Sequence, residues 1–114
     1  MPFKEGTIAH VKGFIMNKLF EKACFGRAGS HGKHMTVRNL RGGYNPKYHG
    51  IFEEAVAELK AEGLVTVFPA RTGRGSDSHI VAVYDRLLEV RGLMNAYRRS
   101  VGLRPLRKDL KEFS

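Results

Sequence analysis

The stretch AVAELKAEGLVTV, residues 55–67, changes its period halfway along. Ala55, Val56 and Leu59 recur at helical steps, Gly63 follows, and Val65, Thr66 and Val67 are all branched at Cβ. Steps of three and four put apolar side chains on one face of a helix. Glycine closes a helix readily because it enters the left-handed region without a Cβ clash. Branched side chains suit a pleated, half-buried strand. A helix that stops on a glycine and passes at once into a strand is the joint from which the rest of the chain is read.

Upstream of that joint the helix starts at Asn45, whose side chain can cap free amides, with Pro46 in the first helical position. Tyr48, Ile51, Phe52, Ala55, Val56 and Leu59 form its apolar stripe. Downstream, LVTVFPAR (64–71) and HIVAVYD (79–85) predict a β-hairpin, with Arg71 to Ser78 as its basic, glycine-containing loop. Pro69 marks an edge position or the end of ladder pairing, because proline has no amide hydrogen.

Further out, Ile8, Val11, Ile15, Leu19 and Ala23 predict a first helix over about residues 5–25, ended by Gly26. A glycine-rich basic loop follows, and Thr36 is placed to cap a short helix that stops at Gly42–Gly43. Near the C-terminus, Leu87, Val90, Met94, Tyr97 and Val101 predict a long helix with a narrow apolar seam. That seam either packs on the first helix or pairs with its copy, and a homodimer through residues 87–101 is the expectation. The final GLRPLRKDLKEFS reads as a basic tail.

The order of elements resembles the winged-helix branch of the helix-turn-helix proteins. The resemblance rests on residues 35–85, about half of the chain. It implies an α+β fold: a three-helix core plus a two-stranded β-hairpin wing, with an additional C-terminal helix. Residues 1–85 would be the winged-helix domain, and residues 86–114 a C-terminal helix and basic tail.

Charge supports a polyanion partner. The 114 residues carry 20 Lys+Arg against 11 Asp+Glu, a net +9 that attracts nucleic acid above other partners. The excess lies at the two ends. Residues 1–43 hold eight basic and two acidic side chains, and residues 86–114 hold eight and three. Residues 44–63 reverse the sign, with Glu53, Glu54, Glu58 and Glu62 against Lys47 and Lys60.

By the resemblance, the helix beginning near residue 46 enters a DNA groove through its first turn, where helix N-termini also favour phosphate. The nucleic-acid-binding residues would be Arg38, Arg41, Tyr44, Lys47 and His49. Arg71 and Arg74 on the wing reach backbone or minor groove. Arg98 and Arg99 add salt-sensitive affinity from the C-terminal segment. The four glutamates would repel phosphate along most of the helix. Small Gly50, Ala57 and Ala61 on its outward face would admit another backbone.

Other chemistries find less support. His31 and His34 form an H-x-x-H pair in a glycine loop, with no CxxC or carboxylate spacing to complete a zinc site. Cys24, the single cysteine, reads as a small buried hydrophobe rather than a nucleophile. No catalytic triad, phosphate-cradling motif, cofactor motif or long apolar span stands out, so no enzyme, cofactor or membrane role is expected and the cytoplasm is the default. The expectation is a non-catalytic, double-stranded DNA-binding transcriptional regulator. An RNA- or ribosome-associated winged-helix protein and a protein–protein interaction module are the alternatives.

Overall fold

Among the described residues, four helices and a small sheet form an α+β arrangement. The computed structural model describes residues 4–22, 24–26, 35–72, 75–83 and 86–103, with the backbone alone at 25, 70–72, 75–77, 87–90 and 93. In order these form helix α1 (Ile8–Glu21), strands β1 (Phe25–Gly26) and β2 (Met35–Thr36), and helix α2 (Val37–Gly42). A 3₁₀ turn (Pro46–Tyr48), helix α3 (His49–Ala61), strands β3 (Val65–Thr72) and β4 (Gly75–Val83), and helix α4 (Leu87–Ser100) complete it.

Local chemistry sets most of these boundaries. The Thr7 side chain accepts from the His10 amide and opens α1. Thr36 does the same for α2 by accepting from Asn39. Asn45 caps through Lys47 N–H, but the segment it opens is the 3₁₀ turn, and α3 proper starts at His49. Gly63 closes the helix–strand joint at φ +75°, a conformation costly to any side chain with a Cβ.

Two expectations about the first third need correction. Helix α1 ends at Glu21, not at Gly26, because the chain turns to give its backbone to the sheet. The Cys24 carbonyl accepts from Ala82 N–H at 2.9 Å, and Phe25–Gly26 pairs in parallel with Ala82–Val83. The second is the pair Met35–Thr36, which forms a short strand where none was expected. It pairs antiparallel with Ile80 and His79.

Strand β4 is the centre of the sheet, with β1 and β2 on one side and β3 on the other. Strands β3 and β4 pair antiparallel from Val65↔Ala82 to Thr72↔Gly75. The expected loop from Arg71 to Ser78 is therefore mostly strand, with residues 73–74 between the two strands. Pro69 pairs opposite Ser78 on the edge strand, where proline is tolerated.

The core lies under α1. Val11, Phe14, Ile15, Met16, Leu19 and Phe20 are all buried, so this helix is enclosed on most sides. Phe52, Ala55, Val56 and Leu59 of α3 close one flank, with Ile80 and Ala82 of β4 in the same cluster. Met94 and Tyr97 of α4 close another. Each fully buried Leu or Phe contributes about 1.5–3 kcal/mol relative to exposure.

Helix α4 is bound to α1 by more than apolar contact. Asn17 is buried, and its carbonyl oxygen accepts from Arg98 Nη1 at 2.7 Å while its amide donates to Glu21 at 3.0 Å. Two of the five seam residues, Met94 and Tyr97, are thus spent inside the chain. Val101 stays exposed.

Candidate nucleic-acid interface

Five of the expected contact residues cluster around the α2–α3 turn. Helix α2 carries Arg38 and Arg41 one turn apart; Arg38 is exposed and Arg41 is half-buried. Together with Glu53 of α3, Val67 of β3 and Ser78 of β4, they line a groove of about 300 Å³. The helices and the hairpin therefore share one concave surface, with arginines on one wall and a hydroxyl on the other. Arg41 Nη1 meets Glu53 Oε1 at 2.6 Å across it, so this acid is already ion-paired.

The remaining acids of α3 and its C-cap divide by face. Glu58 and Glu62 turn toward α1 and close on Lys12 Nζ at 3.4 and 2.8 Å. Lys12 is well shielded, with 13% of its side chain exposed, so this is a better-enclosed pairing than a free surface ion pair. Glu54 stays exposed on the outward strip with Gly50, Ala57 and Ala61. That strip bears no side-chain donor, so α3 offers little for reading base edges along its length.

Lys47 in the 3₁₀ turn is exposed, with its ammonium 5.6 Å from the Tyr48 ring centre. His49 is half-buried, and its Nε2 donates to the Tyr44 carbonyl at 3.3 Å. Tyr44 does not join the surface. It is 5% exposed, and its hydroxyl accepts from Gly6 N–H at 2.9 Å and meets His10 Nδ1 at 2.7 Å. Tyr44 is consequently a core residue that braces the turn. Burial raises its phenol above the ordinary value.

The C-terminal cations separate in role. Arg98 serves the α1–α4 contact through Asn17, whereas Arg99 is exposed. Arg71 is a β3 backbone position opposite Ser76, and only its backbone is described. Arg74, His31, His34 and the tail beyond Leu103 lie outside the described residues.

Lys12 and Ser78 matter to this surface, and buried His10 braces Tyr44 behind it; none carries a distinct signal in the sequence. Lys12 reaches its partners across 46 and 50 residues of chain, a relation that no local spacing encodes. Cys24 is buried and its thiol sits 3.7 Å from the Lys22 carbonyl. Among the described residues, no group of three or more His, Cys, Asp or Glu side chains is placed to hold a metal. No described helix is long and apolar enough to cross a membrane. No family model, curated protein or solved structure matches the chain.

Proposed function

We propose that the chain is a winged helix-turn-helix protein that binds duplex DNA without catalysis, as a transcriptional regulator. Helices α2 and α3 form the helix-turn-helix, and the β3–β4 hairpin is the wing. The observation that carries this reading is the shared groove: Arg38 and Arg41 face Ser78 of the hairpin across it. A second feature supports it. The acids of residues 53–62 that would repel phosphate are partly offset: Glu53 pairs with Arg41, and Glu58 and Glu62 share Lys12, while Glu54 of α3 has no ion pair among the described residues.

The mechanism is electrostatic positioning. The net charge of +9 draws the duplex in, and release of its counterions supplies salt-sensitive affinity. Lys47 and Arg38 take phosphates at the first turn and beside it, and Arg71 and Arg74 take them from the wing. Arg99 contributes from α4. The outward strip of α3 is small and acidic, so affinity comes from the backbone rather than from base readout. A homodimer seam along residues 87–101 is not part of this reading, since Met94 and Tyr97 are already buried against α1.

The absence of donors on that strip also favours the second reading, an RNA-associated protein that recognises helix shape and backbone. Titration of a labelled duplex, with structured RNA as competitor, separates the two. Lys47→Glu and Arg74→Glu are each expected to weaken duplex binding roughly tenfold at low salt, in line with a lost charge-assisted contact. Parent-like affinity in both variants would overturn the groove-and-wing reading. Preferential displacement by RNA would move the function to RNA.

A further inference from the structure

On the far side of the α2–α3 turn is a second cavity, of about 350 Å³, that the nucleic-acid reading does not use. Its walls come from the start of α1, the turn at Tyr44–Asn45 and the last turn of α4. Phe14, Tyr44 and Tyr97 line it with aromatic rings, His10 is set among them, and Glu5 stands at its edge. The volume lies within the range of small-molecule sites.

Two features of the lining point to the class of ligand. Glu5 is exposed and makes no ion pair with a described residue; its one hydrogen bond to a described residue is a long 3.5 Å contact from Asn45. An acid left over beside an aromatic cavity is notable in a chain of net charge +9. The second feature is His10, which is 7% exposed. Its Nδ1 is engaged by the Tyr44 hydroxyl, while Nε2 makes no hydrogen bond to a described residue. A hydroxyl both donates and accepts, so the Nδ1 bond survives in either tautomer. Nε2 is then free to serve as a neutral acceptor. Desolvation holds the ring toward its uncharged form against the opposing pull of Glu5.

We infer that this cavity binds a small organic ammonium ion carrying an apolar or aromatic body. The cation pairs with Glu5, an N–H donates to His10 Nε2, and the body packs among Phe14, Tyr44 and Tyr97. The rings take the apolar body by burying its surface, and the Glu5 carboxylate favours a cation over a neutral or anionic group of the same shape. The site also touches the proposed DNA surface. Tyr44 meets His10 through its hydroxyl and His49, in the first turn of α3, through its carbonyl. Occupancy is thereby transmitted to that turn. Only this coupling rests on the nucleic-acid reading; the binding itself does not.

The test is an NMR titration of the whole chain at neutral pH, without nucleic acid, with three matched probes. These are 2-phenylethylammonium, 2-phenylethanol and phenylacetate. The expected result is saturable, millimolar-range binding of the ammonium probe, as suits a ligand of that size. Shifts should centre on Gly6, His10, Tyr44 and Tyr97. The alcohol should bind about tenfold more weakly, the carboxylate not at all, and Glu5→Gln should weaken the ammonium about tenfold, the scale of one lost charge contact. Equal affinity for the alcohol or the carboxylate, an unchanged Glu5→Gln, or no saturable shift with the ammonium would overturn the assignment. Each of those failures leaves the duplex titration of Lys47→Glu untouched, and the converse holds too.

Discussion

Tyr44 and His10 show how one contact redirects two side chains. A tyrosine in a turn between helices is a reasonable surface donor, yet here its ring fills the core and its hydroxyl meets a buried imidazole at 2.7 Å. The same pair yields a pH prediction. Burial lowers the His10 pKa below the ordinary 6.5, with Glu5 opposing. As pH falls through about 6.5 the unfolded chain takes up a proton that the folded chain refuses, so stability declines until the folded value is passed. Urea unfolding midpoints are expected to be lower at pH 5 than at pH 7. The decline should be smaller in His10→Gln, whose amide still accepts from Tyr44. Equal losses in both chains would mean that the ring does not titrate as a buried group. Arg98 is a similar case: it reads as a free cation of a basic tail, but satisfies the buried Asn17 carbonyl.

Among the elements, the helices separate according to what their glycines meet. A Cβ on Gly13 of α1 would stand 2.5 Å from the Cβ of Tyr97, so this glycine allows α4 to approach. Gly92 of α4 has open space where a Cβ would go. Replacing a helix-interior glycine by alanine ordinarily adds about 0.5–1 kcal/mol of stability. Gly92→Ala should follow that rule. Gly13→Ala should instead destabilise by roughly 1–3 kcal/mol, because the helix pair must part or repack. Thermal unfolding of the two variants reads the opposite signs directly; a stabilised Gly13→Ala would show that α1 and α4 do not pack this closely. The long elements α3, β3 and β4 were legible from period, cap and glycine, since each of those acts within a few residues. Strands β1 and β2 were not. Two residues cannot display a period, and their pairing depends on β4 residues that lie 43 or more positions further along.

For the molecule as a whole, the question is where charge and apolar surface end up. Lys12 is shared by Glu58 of α3 and Glu62 at its C-cap, Arg41 pairs with Glu53, and the groove beside the hairpin keeps exposed Arg38. Of the described seam side chains, Met94 and Tyr97 turn inward and Val101 stays exposed, which leaves a free chain less apolar surface to pair along. Sedimentation equilibrium at micromolar concentration is expected to return the single-chain mass of 12.8 kDa. A stable species of twice that mass would put a dimer contact back on α4. The helices, the cap at Thr36, the closing glycine at Gly63, the hairpin and the net charge were written into the sequence because each follows from neighbours a few residues apart. Three other features were settled only by folding: which glutamates face Lys12, that Tyr44 turns in to His10, and that Arg98 holds Asn17. These contacts join residues 34 to 81 positions apart, and the chain determines them only by burying α1 among all the others.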